Sequence, residues 1–178
     1  MVHDGEHDRG TQGPPVLVQR HEHLHLALHR AVLGLEQAFE QVSIDLLDRW
    51  ATATANIEHP WEQIVALVEQ LADAPDVRQH CSLWTEFAAA SGRHAYLRPG
   101  FTSIYDAWRQ LLTRAVTTGV NRGLFEPRLP VDDVVTILLA HMDGCELTLA
   151  AEIDAMDAER LRGLTLALAA ELLSWPQA

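Results

Sequence analysis

An all-α fold, a bundle of about six helices, is what this sequence predicts, and three observations carry the prediction. Apolar residues recur three and four positions apart through most of the chain, the spacing of one helical face. Prolines stand where such runs begin or stop, at Pro60, Pro75, Pro99, Pro130 and Pro176, and not inside them. No segment alternates with the period of two that marks a strand, and no internal repeat appears.

The elements follow in order. From Met1 to Pro15 the chain is polar, with three glycines and two prolines, and offers little to a core. Residues 1–30 are expected to form an atypical, histidine-rich N-terminus that is disordered or partly helical, and residues 31–178 the folded domain. Between Val16 and Ala55 there is no proline, and Val32, Leu35, Phe39, Val42, Leu46 and Trp50 place one long amphipathic helix. Pro60 suits a first helical position, and Ile64, Leu67, Val68 and Leu71 continue the period until Pro75 interrupts it. Pro75 opens the next helix, with Val77, Cys81, Trp84, Phe87 and Ala88 inward and Gly92 placed as its left-handed C-terminal residue. Pro99 opens the longest, with Phe101, Ile104, Tyr105, Trp108, Leu111, Leu112 and Ala115 inward, ending near Gly123.

The last two helices differ in kind. Val131 to about Ile153 is apolar almost all round, which marks a helix covered on more than one side. The final helix, capped by Asp157 and stopped by Pro176, carries a large stripe at Leu161, Leu164, Leu168, Leu172 and Trp175 and a small stripe at Gly163, Ala167, Ala170 and Ser174. A large stripe facing the protomer's own core and a small stripe admitting another helix predict a homodimer with a four-helix interface, to which Leu139 also contributes.

Composition limits the partners. At 178 residues the chain is about one ordinary domain, long enough to bury most of its apolar surface. Thirteen arginines and no lysine stand against twenty-five carboxylates, and the formal charge of −12 opposes a polyanion. Cys81 and Cys145 are too few for a disulfide framework and sit in apolar helical patterns, which fits a reducing cytoplasm. No apolar stretch follows a basic start, and no window approaches the roughly 18 apolar residues of a membrane helix, so neither a signal peptide nor a membrane partner is expected.

The segments Leu83–Phe87, Tyr105–Leu112, Gly119–Pro127 and Asp143–Gly144, in this order, resemble the C-terminal ligand-binding and dimerisation domain of TetR-family transcriptional regulators, from about Val32 to Trp175. The resemblance implies a homodimer built on the last two helices and an effector pocket inside each bundle. It also implies that the helix from Val32 to Trp50 passes the signal to an N-terminal helix-turn-helix. Residues 1–31 show no three-helix pattern, nor the tyrosine, phenylalanine and lysine usual before that helix. The DNA-reading head is therefore expected to be missing, and DNA is a partner only where a full-length form or another subunit supplies one.

Candidate chemistry is sparse. His21, His25 and His29 share one helical face and are candidate zinc or nickel ligands, but three ligands on one helix cannot close a tetrahedral site, and a solvated helix start explains them without a metal. His141 and Cys145, four apart, and the neighbours His80 and Cys81 allow a mixed His/Cys metal site to be imagined, but buried cysteines and satisfied core histidines are far commoner. There is no nucleophile elbow, phosphate loop or His-Glu-x-x-His, so neither enzyme activity nor a cofactor is expected. Asp132, Asp133, Asp157 and Glu159 sit where helices begin and read as structural.

The aromatic set Trp84, Phe87, Phe101, Tyr105 and Trp108, with His80 and Met142, is the candidate ligand pocket, and Tyr105, Thr85, His80 and Arg109 are its candidate polar groups. The same aromatics would equally fill the core of a small bundle. The functional expectation is a dimeric TetR-type sensor, a repressor or its sensor half, for a small lipophilic effector. The rival is a stand-alone helical interaction protein or a histidine-mediated metal binder.

Overall fold

The computed structural model describes residues 47–176 together with Gly34, Gln37, Gln41 and Ile44. His21, His25, His29 and the rest of residues 1–30 lie outside the described residues. The chain divides into a unit Met1–Leu35 and a unit Glu36–Ala178, and six α-helices with no strand make up the described part of the second.

Helix α1 covers residues 47–55. Its Trp50 is buried, and Thr54 Oγ1 donates to the Trp50 carbonyl at 2.8 Å. Helix α2 (Pro60–Ala72) begins at a proline, whose fixed φ suits the first turn and whose missing N–H costs nothing there. Gln63 Nε2 donates to the Ile57 carbonyl at 2.6 Å and holds the turn between α1 and α2. Helix α3 (Val77–Arg93) starts two residues after Pro75.

Gly92 does not end α3 as expected. It lies within the helix, and among the described glycines only Gly123 has a positive φ. The chain leaves α3 through His94 in extended conformation, then a short 3₁₀ turn (Ala95–Leu97) and α4 (Arg98–Asn121). Arg98 Nε donates to the Ser91 carbonyl at 3.3 Å, so the following helix satisfies a group that a glycine cap otherwise would.

Gly123, at φ +67°, closes α4, with Leu124 N–H donating to the Gly119 carbonyl at 2.9 Å. The reversal turns Phe125 back onto α4, where its ring occupies the space a side chain at Gly119 would need. Phe125 is 2% exposed and meets Trp175 edge-on with centroids 5.8 Å apart. Helix α5 (Val131–Ala150) has Asp132 and Asp133 in its first turn. Helix α6 (Ala158–Leu173) is capped by Asp157, whose Oδ1 accepts from Arg160 N–H at 2.7 Å, a bond worth about 1 kcal/mol.

Helix α5 packs on α3, α4 and α6, and α2 packs on α4 and α6. Arg162 of α6 pairs with Asp73 just beyond α2. The inward face of α6 is Leu161, Thr165, Ala169, Ala170 and Leu173, a correction to the expected arrangement. Of the large stripe only Leu161 is fully buried, while Leu164 is 40% exposed and Leu168 and Leu172 are half-buried. Small residues at 165 and 169 let α6 approach its neighbours closely, which turns the leucines outward. Leu139 and Ala170, expected at a seam between copies, are buried in the protomer's own core, whereas Gly163, Ala167 and Ser174 are exposed. The outer face of α5 exposes Ile137, Ala140, Gly144 and Leu147, an apolar row.

Candidate effector site

The helical periods of α3 and α4 bring Trp84, Phe101, Tyr105 and Trp108 onto facing surfaces, and α1 adds Trp50. Trp84 stacks on Phe101 with centroids 4.7 Å apart and lies nearly parallel to Tyr105 at 6.5 Å. Trp108 meets Trp84 at 90° and 6.0 Å and Trp50 at 4.9 Å. Between these rings lies a cavity of about 20 Å³, room for one water, bounded by Leu47, Trp50, His80, Trp84, Ile104, Trp108 and Glu146. A groove of about 300 Å³, lined by Arg49, Ala74, Pro75, Asp76, Gln79, His80 and Leu83, lies on the other side of His80, the one residue common to both.

The structure places three of the expected pocket residues, His80, Trp84 and Trp108, on the cavity wall. Phe87, Phe101 and Tyr105 continue the aromatic cluster from Trp84 and are not part of the cavity wall, and Phe87, buried in the core, lies 6.0 Å from Phe101. Met142 is buried in the core and is not part of the wall. Thr85 Oγ1 donates to the backbone carbonyls of Cys81 and Ser82, and Arg109 faces Asp132 at 3.5 Å, so both candidate polar groups are engaged elsewhere.

Glu146 is the wall residue that sequence reasoning missed, with Leu47, Trp50 and Ile104. The one signal was a carboxylate at a position where the apolar residues of α5 continue on both sides, at Met142 and Leu149. Glu146 is 1% exposed, and neither carboxyl oxygen has a hydrogen-bond partner. Burial, reinforced by the neighbouring Asp143 charge, holds it well above the usual carboxylate range. Asp143 is also shifted upward by burial, but its Oδ1 accepts from Trp84 Nε1–H at 3.1 Å, which favours the charged form. The indole Nε1–H groups of Trp50 and Trp108 are buried without an acceptor.

The remaining groups adjust to the same dry surroundings. Burial, with Arg49 nearby, lowers His80 to about 4, so its imidazole is neutral at pH 7. Burial and the Glu146 charge push the Cys81 thiol up to about 12, which leaves it unreactive. Cys145 Sγ lies 3.5 Å from His141 Nε2, but among the described residues no three His, Cys, Asp or Glu are arranged to hold a metal ion. What this arrangement offers is aromatic surface, one buried carboxyl group with the half-buried Asp143 one turn away, and two unsatisfied N–H donors. Such a site suits a compact organic cation that carries an acceptor.

Among the described residues no helix is long and apolar enough to cross a membrane. The family of BetI-type transcriptional repressor C-terminal domains matches residues 60–174. No curated protein matches the chain. A proposed transcriptional regulator from Saccharomonospora viridis, crystallised in complex with choline, is similar in structure, with a TM-score of 0.70 and 24% identity over 77% of this chain and 71% of that one. At that identity the likeness shows the shared all-α fold. The family match extends over more than half of the sequence, and the chain therefore belongs to the TetR family of transcriptional regulators, which are not enzymes, and carries its BetI-type C-terminal domain.

Proposed function

We propose that this chain is the sensor half of a cytoplasmic TetR-type repressor whose effector is a small quaternary ammonium compound of the choline class. The observation that carries the reading is Glu146: a carboxyl group buried without a partner and walled by Trp50, Trp84 and Trp108. An apolar wall alone suits the lipophilic effector that the sequence suggests. A buried carboxylate beside it asks for positive charge, and tryptophan faces attract a cation by a further 0.5–2 kcal/mol or so each. The unsatisfied Trp50 and Trp108 donors ask for an acceptor such as a hydroxyl. The choline held by the Saccharomonospora viridis regulator supports the same class.

Helix α1 contributes Leu47 and Trp50 to the wall, so a ligand that enlarges the chamber displaces α1. In a repressor this displacement biases the DNA-reading heads away from the operator-bound arrangement. Titration with choline should change tryptophan fluorescence saturably, and its uncharged isostere 3,3-dimethyl-1-butanol should bind at least about tenfold more weakly, the equivalent of about 1.4 kcal/mol. Equal affinity for the two compounds removes the cation from this reading.

The output requires a dimer, and the exposed row Ile137, Gly144 and Leu147 on α5, beside Gly163, Leu164 and Ala167 on α6, is the face we assign to it. Both Leu147→Glu and Ala167→Glu place a charge at that seam while leaving the protomer core intact. Light scattering should then report monomers, and an unperturbed dimer in both variants rules out this face.

A further inference from the structure

We infer that the cationic effector and a proton compete for Glu146, so that filling the chamber expels about one proton into the solvent. The inference rests on the cation reading of the same site, and it concerns what the unliganded protein does with a buried carboxyl group that no described protein group partners.

Among the described residues, the elements around Glu146 bring the following groups to it. Helix α1 presents Leu47 and Trp50, with Arg49 directed at the surroundings of His80. Helix α3 presents His80, Cys81 and Trp84, and α4 presents Ile104 and Trp108, with Tyr105 nearer Asp143 and Arg109 turned to Asp132. On α5 itself Asp143 lies one turn earlier, and Cys145 and His141 flank the same stretch. Helix α6 turns Leu161, Thr165, Ala169, Ala170 and Leu173 inward, none of which titrates.

Among the described residues no arginine or charged histidine is placed against Glu146, while Asp143 opposes its ionisation. Of the two acids Asp143 has a donor, the Trp84 indole, and Glu146 has none. Ionising Glu146 in the empty chamber leaves a bare charge in apolar surroundings, so the carboxyl group keeps its proton. A cation against the wall reverses the balance, because attraction between opposite charges is strong where water is excluded. The proton then leaves Glu146, and the ion pair takes its place. His80 is not its destination, since burial and Arg49 keep that ring neutral. The proton goes to bulk buffer, where calorimetry counts it.

The test is choline binding to the full 178-residue chain by titration calorimetry at pH 6, 7 and 8, each in phosphate and in imidazole buffer, whose ionisation heats differ. Close to one proton should be released per choline bound at pH 6, and Kd should fall up to about tenfold for each pH unit while Glu146 is protonated in the empty protein. Glu146→Gln, a neutral amide in place of a neutral acid, should bind choline with no proton release and a flat Kd. Asp143→Asn should retain the release. Binding by the unaltered chain with no buffer dependence and a pH-independent Kd overturns the exchange and leaves the cation reading standing. Continued release from Glu146→Gln also overturns it, by assigning the proton to another group. If the unaltered chain binds no choline at any pH, the cation reading itself fails, and the exchange with it.

Discussion

Gly119→Ala should destabilise the protein by about 3 kcal/mol, the upper part of the range for overpacking a core. In an open helix the same change is favourable by about 1 kcal/mol, because alanine gives up less backbone freedom on folding than glycine. The sign reverses because the ring of Phe125 lies against Gly119, and a Cβ there would overlap it. The ring has no easy retreat: Phe125 is buried, Trp175 backs it, and the next residue is held by the Glu126 N–H donating to the Leu173 carbonyl at 3.0 Å. Gly92 is the natural control. It is helical, and nothing lies within 4 Å of the Cβ it would gain, so Gly92→Ala should be neutral or stabilising. Urea unfolding of the two variants checks this, and equal shifts in the same direction would falsify the role of Phe125.

Trp108→Ala should cost about 3–5 kcal/mol through lost contacts with Trp50 and Trp84 and the cavity left behind. The loss should also depend on pH in a defined direction. Glu146 binds its proton more tightly in the folded chain than in the unfolded one, so its contribution is complete below the unfolded value of 4.5 and declines as pH rises. His80 acts in the opposite sense. Its folded value of about 4 lies below the unfolded 6.5, so the stability it provides is present above 6.5 and is lost as pH falls through that interval. The two trends offset one another between about pH 4.5 and 6.5. Once the His80 trend is complete, the remaining trend is the fall of stability with rising pH set by Glu146, with Asp143 acting in the same sense, at up to about 1.4 kcal/mol per pH unit for each group until its folded value is passed. Opening the wall at Trp108 admits water to the carboxyl group and relieves that penalty. The difference between the unaltered protein and Trp108→Ala should therefore narrow as pH rises above the unfolded value of 4.5, as read from urea midpoints. A constant difference would show that Trp108 does not shield Glu146.

The helices were legible in the sequence because their signals are local. Pro60, Pro99 and Asp157 mark helix starts through their own backbone chemistry, and Gly123 marks an end through the positive φ it adopts. The aromatic stack was legible for the same reason, since 101, 105 and 108 share one face of a single helix. The outward turn of α6 was not, because a helix apolar on two sides gives no preferred direction until its neighbours are in place. Gly92 misled in a related way: the carbonyl it was expected to cap is satisfied by Arg98, beyond a 3₁₀ turn that no nearby residue type announces. Glu146 was hidden by its sequence neighbours. In a helix with Asp143 one turn away a carboxylate looks like surface, and only the closing of α1, α3 and α4 around it shows otherwise.

The smallness of the chamber has a kinetic consequence. Its wall is drawn from four helices and encloses space for about one water, so a ligand of several heavy atoms enters only while those helices stand apart. For the effector proposed above, arrival would then be paced by spontaneous opening of the bundle, and the observed binding rate should level off at high ligand concentration instead of rising in proportion. The apparent affinity is reduced by the fraction of time the bundle spends open. A sensor with these properties passes over brief encounters and registers an effector that persists.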